Sequence, residues 1–150
     1  MGHTYSNILI HALFSTKDRH PWLREEVRRE LFAYLGGTVN KLGGQSLIVN
    51  GVTDHVHMLF MQPPSVALAD MMEKVKASSS GWVKRRRPEL QKFAWQTGYT
   101  AFSVSMSNAD TVKRYIERQE QHHQKMSFQE EVVAFLKKHE IAYDPRYLPG

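Results

Sequence analysis

The chain has 150 residues, of which 41% are hydrophobic, enough for one domain (residues 1–150) with a real core. It contains no cysteine, which excludes disulfides, thiolate metal sites and cysteine nucleophiles. Twenty Lys and Arg against fifteen Asp and Glu give a net charge of +5, an excess that favours a polyanionic partner but is also ordinary for a solvated surface. No run reaches the length of a membrane span, and the N-terminus lacks the charged start and apolar run of a signal peptide, so a cytosolic protein is expected.

Residues 5–15 are rich in Ile, Leu and Phe and predict a strand buried on both faces. Pro21 offers a helix start, and Leu23, Val27, Leu31, Leu35 and Val39 follow at helical spacing until Gly43 and Gly44 end the run. Residues 45–52 and 55–61 predict two strands joined by a short turn at 51–54. Pro63, Pro64 and Ser65 are expected to cap a second helix whose inner stripe is Leu68, Met71, Met72, Val75, Ser79 and Trp82, closed by Pro88. Residues 99–105 predict a fourth strand. Ser107 with Asp110, and Ser127 with Glu130, are capping-box patterns for a third helix over about 109–125 and a fourth with Phe128, Val132, Phe135 and Leu136 on its apolar face. Strand, helix, strand, strand, helix, strand is the order of the split βαβ, or ferredoxin-like, α+β architecture. The expected fold is an antiparallel four-stranded sheet with two helices on one face, the other face open, and two further C-terminal helices.

His55 and His57 lie one apolar residue apart on the third strand, so their side chains share a face while Val56 and Met58 turn into the core. Two neutral imidazoles so placed can hold one divalent metal, or can simply be surface histidines. On the third helix Tyr115, Gln119 and His122 fall on one face, beside an apolar face of Val112 and Ile116. The Gln119 amide oxygen is a hard donor that could join two imidazoles around Mg²⁺ or Mn²⁺. A tyrosine hydroxyl becomes a competent phosphodiester nucleophile when held in line and when a metal polarises the phosphorus. His122 and His123 also suit a helix C-terminus, where cations are favoured. For nucleic acid, Lys84, Arg85, Arg86 and Arg87 form the one dense basic run, Trp95 offers a loop ring for base stacking, and Arg118 beside Gln119 could meet a phosphate. Each has a plain alternative: helix-dipole complementation for the run, a core plug for Trp95 and a solvated helix face for Arg118.

Together these patterns resemble the small single-tyrosine transposases of bacterial insertion sequences (the insertion-sequence 200/605 family), members of the His-hydrophobe-His endonucleases. The resemblance is carried by His11-Ala12-Leu13-Phe14-Ser15-Thr16-Lys17, Asp54-His55-Val56-His57, Lys76-Ala77-Ser78-Ser79, Trp95-Gln96-Thr97-Gly98-Tyr99 and Phe102-Ser103-Val104-Ser105. It continues through Tyr115-Ile116 with Gln119 and His122-His123, Phe128 with Glu131, and Tyr143-Asp144-Pro145-Arg146-Tyr147-Leu148. The chain departs from the pattern at Thr53, where many relatives carry proline, and at Arg118, where asparagine is frequent.

The resemblance implies that His55, His57 and Gln119 bind a divalent metal, Mg²⁺ or Mn²⁺, and that Tyr115 attacks single-stranded DNA to leave a free 3′-OH and a 5′-phosphotyrosyl link. It also implies a homodimer acting on hairpins at the element's ends, with active sites shared between subunits, in the cytoplasm or at the nucleoid of a bacterial or archaeal cell. Rival readings are a related nickase, such as a replication initiator, a relaxase or a domesticated relative that processes palindromes, and a non-catalytic single-stranded nucleic-acid-binding module. A dinuclear metallo-hydrolase is disfavoured because no Asp-His continuation follows His57.

Overall fold

The computed structural model describes residues 2–148. In chain order its regular elements are β1 (Leu9–Ser15), α1 (Glu25–Lys41), β2 (Gln45–Gly51), β3 (His55–Met61), α2 (Leu68–Arg86), β4 (Thr100–Val104), α3 (Ala109–Glu117), α4 (Gln119–His123) and α5 (Phe128–Lys138), with short 3-10 turns between some of them. The four strands form one antiparallel sheet in the order β2-β3-β1-β4, which is the split βαβ arrangement that the element order predicts.

Strand alternation divides the core into two layers. Ile10, Ala12 and Phe14 of β1 and Val56, Met58 and Phe60 of β3 pack under α1 and α2, against Val27, Leu31, Leu35, Met71, Met72 and Val75. On the opposite face Leu9 and Leu59 meet Ala109 and Ile116 of α3, while Leu13 and Phe102 meet Phe128, Val132 and Leu136 of α5. That face was expected to be open, and it is covered. Leu9, Leu13, Leu59 and Phe102 make it too apolar to stay wet, and the apolar stripes of α3 and α5 need a surface to bury against. In consequence all seven residues of β1 are buried, and His55 and His57 are sealed inside instead of looking out to solvent.

Several element ends differ from the sequence expectation. α1 begins at Glu25, not Pro21, because Leu23 donates its N–H to the Thr53 carbonyl at 2.9 Å and Arg24 is extended. The single helix expected over 109–125 breaks at Arg118 (φ −101°, ψ 27°), which makes α4 a separate short helix. The Ser107–Asp110 capping box does not form; Asn108 is the cap residue, without a side-chain bond, and Ser107 Oγ pairs with Ser105 Oγ at 3.0 Å. Nor do Pro63, Pro64 and Ser65 cap α2, which starts from Ala67 without a side-chain bond. The Ser127–Glu130 box does form, with both reciprocal bonds. On α2, Val83 takes a fully buried position, and the half-buried Trp82 stacks on Tyr34 at 5.0 Å between ring centroids. Among the described residues no helix is long and apolar enough to cross a membrane.

Two glycines test this packing in opposite directions. A Cβ on Gly51 would strike the His55 carbonyl and lie 2.9 Å from Val56 Cα, so Gly51→Ala is expected to destabilise the β2–β3 hairpin by about 1–3 kcal/mol. Gly37 lies within α1 with nothing within 4 Å of an added Cβ, so Gly37→Ala is expected to stabilise by about 0.5–1 kcal/mol. Urea unfolding midpoints measure both, and a shift of the same sign in the two variants would contradict the packing described.

Candidate functional site

The second layer brings β3, α3, α4 and α5 to one buried point. His55 and His57 rise from β3 on the same face, each fully buried. Outer partners fix both rings: Asp54 Oδ1 lies 2.7 Å from His55 Nδ1, and His11 Nε2 lies 2.8 Å from His57 Nδ1. Both Nε2 atoms are thereby turned toward the helices. The break at Arg118 turns Gln119 inward, where it is fully buried; its Oε1 lies 3.3 Å from His55 Nε2 and its amide N–H donates to Glu131 Oε2 at 3.4 Å.

Glu131, on the first turn of α5, sits at the centre and is 1% exposed. Its Oε1 lies 2.9 Å from His57 Nε2, 2.9 Å from His123 Nε2 and 3.5 Å from His55 Nε2. Its other oxygen accepts a hydrogen bond from the Tyr115 hydroxyl. Burial alone would raise the Glu131 carboxyl, but hydrogen bonds from His123, His55 and His57 outweigh it and hold the group well below the usual carboxylate range. Burial, reinforced by that carboxylate, pushes the Tyr115 phenol well above its ordinary value. His122 stacks on the Tyr115 ring at 4.3 Å between centroids, and its Nε2 is buried without a partner among the described residues. A cavity of about 300 Å³ opens beside Tyr115, walled mainly by apolar groups such as Val112 and Phe135, with Glu131 and Lys138 in its lining.

The donor atoms fit a divalent metal. Bonds of about 2.0–2.1 Å give coordination-polyhedron edges of roughly 3.0–3.4 Å, and the separations of Glu131 Oε1 and Gln119 Oε1 from these nitrogens, 2.9 to 3.5 Å, fall around that range. His55, His57, His123 and Glu131 each offer one ligand atom, all within 4.8 Å of one another. The outer carboxylate on His55 and the outer imidazole on His57 are the kind of partners that fix the tautomer of a metal-ligating histidine.

A family model described as Transposase IS200 like matches residues 4–119, most of the chain, and includes His55, His57, Tyr115 and Gln119. The chain belongs to the IS200-like transposase family. It is 26% identical over 123 residues to the ISDra2 transposase TnpA of Deinococcus radiodurans, covering 79% of this chain and 87% of that protein. Its fold is similar to the crystal structure of a candidate transposase from Deinococcus radiodurans R1, with a TM-score of 0.65, 25% identity, and coverage of 79% of this chain and 96% of that one. A REP-associated tyrosine transposase bound to a REP hairpin gives a TM-score of 0.54 over 79% of this chain and 68% of that one, a likeness of fold at 10% identity.

Of the residues that the sequence singles out, Tyr115, His55, His57, Gln119 and His122 converge as described. The residues expected to contact DNA do not join them. Trp95, expected to stack on bases, instead plugs the core: it is 8% exposed, its ring packs edge-on to Phe14 and Phe93, and its indole N–H donates to Ser79 Oγ at 2.9 Å, so it offers no stacking surface. The basic run ends α2 in the other helical layer, where Arg86 pairs with Glu30 at 2.9 Å and Arg87 donates to the Glu26 carbonyl; Lys84 is half-buried and Arg85 exposed. Arg118 is exposed at the helix break.

Glu131, His123 and His11 are the site residues that sequence reasoning missed. Glu131 stands in the acidic first turn of an amphipathic helix, His123 in a pair that suits a helix end, and His11 in an apolar strand. All three stand in stretches that carry the family resemblance, but none was given a role there, and the buried phase of Glu131, three residues after Phe128 and next to Val132, was a further hint of its place.

Protonation should register in stability. Burial lowers His11 and His57 from 6.5, so below that pH the unfolded chain binds more protons and the metal-free fold loses stability as pH falls. Glu131 adds a loss of the same sign in more acid solution, below about 4.5. Burial opposes charge on His55 too, but hydrogen bonds to Asp54 and Glu131 raise it, so its contribution is present below 6.5 and fades as pH rises through its folded value. The melting temperature of the metal-free protein should therefore be highest near neutrality and fall on acidification below about pH 6.5; a melting temperature that rises from pH 7 to pH 5 would contradict the buried neutral imidazoles.

Proposed function

We propose that this protein is a transposase that cuts and rejoins single-stranded DNA through Tyr115, with a divalent metal bound by His55, His57 and Gln119. The observation that carries the reading is the convergence, within one chain, of these three donors and a half-buried tyrosine, the Tyr115 ring lying 6.0 Å between centroids from that of His57. When bound, the metal would act as a Lewis acid on a non-bridging phosphoryl oxygen.

The chain's own groups do the rest. The Tyr115 oxygen forms a bond to phosphorus, the bond from phosphorus to the 3′ oxygen breaks, and the electron pair leaves with that oxygen. The phenol loses its proton and the 3′ oxygen gains one, which yields a free 3′-OH and a 5′-phosphotyrosine. Attack by a 3′-OH on the phosphotyrosine reverses the step, so strands rejoin without an added energy source. Because burial keeps the phenol protonated, its hydrogen bond to Glu131 is the interaction that orients the attacking oxygen. The cavity beside Tyr115 leaves room for the substrate, and Lys138 in its lining can neutralise a phosphate.

The hairpin-bearing ends of an insertion sequence are the proposed substrate, a reading supported by family membership and by the related transposase solved with a REP hairpin. A homodimer working in the cytoplasm or at the nucleoid belongs to the same reading. Active sites shared between the subunits of that homodimer belong to the proposal as well.

A labelled single-stranded oligonucleotide, taken from DNA flanking the gene and carrying its hairpin, tests this. With Mn²⁺ or Mg²⁺ a denaturant-resistant protein–DNA adduct is expected; it should vanish with EDTA and in Tyr115→Phe. A metal-dependent nick without an adduct would sink the tyrosine mechanism, and binding without cleavage would favour a non-catalytic module.

A further inference from the structure

Glu131 and His123 lie beyond the stretch of chain that matches the family model, which ends at residue 119. They nevertheless sit at the centre of the site. We propose that both residues extend the metal site of this chain, and that Glu131 ties the metal to the nucleophile, Oε1 joining the ligand atoms while Oε2 holds the Tyr115 hydroxyl. The half that concerns Tyr115 rests on the nucleophile reading above; the metal half does not.

The geometry argues for it in three ways. Glu131 Oε1 is 2.9 Å from Nε2 of both His57 and His123 and 3.5 Å from that of His55, so one oxygen faces all three imidazoles at once. Tyr115 bonds to the opposite oxygen of the same carboxylate, which separates the two duties spatially. His123 approaches from α4, with its ring 4.2 Å between centroids from that of His55, so the short helix after the break supplies both an amide and an imidazole. The full donor set is three imidazole nitrogens with a carboxylate and an amide oxygen. Imidazole suits transition metals, whereas Mg²⁺ prefers oxygen donors and retains water, so this set selects Mn²⁺, Co²⁺ or Zn²⁺ over Mg²⁺.

The test is metal binding by the intact chain, followed by Mn²⁺ electron paramagnetic resonance and Co²⁺ absorption titration. Wild type is expected to bind Mn²⁺ more tightly than Mg²⁺, and Glu131→Gln and His123→Asn each to weaken Mn²⁺ binding by about 10-fold or more. Circular dichroism of the metal-free variants establishes folding, and if Glu131→Gln fails to fold, Glu131→Asp and His123→Asn decide the matter. Affinities equal to wild type in the folded variants, or no binding by wild type, would overturn the proposal. At saturating Mn²⁺, Glu131→Gln should still form the DNA adduct more slowly than wild type; an equal rate would overturn the tie to Tyr115. Failure of wild type to form any adduct, with metal affinity still dependent on Glu131, would strike at the nucleophile reading and leave the extended metal site standing.

Discussion

A carboxylate buried to 1% exposure cannot stand alone in a protein interior, and the second layer of this molecule is arranged around satisfying one. Glu131 is matched by imidazole nitrogens from β3 and α4, by an amide from α4 and by a phenol from α3, so each carboxylate oxygen meets more than one polar group. The same demand constrains the backbone. α5 must dock with Phe128 and Val132 against Leu13 and Phe102 for Glu131 to arrive at this point, and α3 must dock through Ile116 for Tyr115 to arrive beside it. Packing and polar satisfaction are therefore coupled: the apolar stripes position the helices, and the polar cluster fixes their register.

The helix break at Arg118 has a structural consequence of its own. Tyr115 and Gln119 approach Glu131 from two short helices instead of from one continuous face, and the turn between them is stitched to the sheet edge, where Asn50 donates to the Ile116 carbonyl at 2.9 Å. β2 thus contributes to the site without supplying a donor atom to its centre. On the far face of the sheet α1 and α2 bury the alternate residues of the same strands, so each central strand holds the core with one side and the polar cluster with the other.

Much of this was legible in the sequence, for identifiable reasons. Period-2 alternation around Val56 and Met58 placed both histidines on one face, and the order of the elements gave the sheet topology. Family membership agrees with the resemblance carried by the motifs from His11 to Gln119. What was not legible depended on docking. Helical periodicity announces an apolar stripe but not its partner, so the sheet face that looked open is covered and the histidines are buried. Trp95 has the composition of a loop stacking residue, and only tertiary packing shows Phe14, Phe93 and Ser79 occupying its ring and its N–H. Glu131 reads as a helix-dipole carboxylate because its imidazole partners lie 74 and 8 residues away at His57 and His123.

Peptide mapping of the covalent product bears most directly on the proposed chemistry. After reaction with single-stranded DNA and nuclease trimming, mass spectrometry should find the peptide that contains Tyr115 carrying a nucleotide through its 5′-phosphate. A nucleotide linked to any other residue, or attached through a 3′-phosphate, would contradict the account.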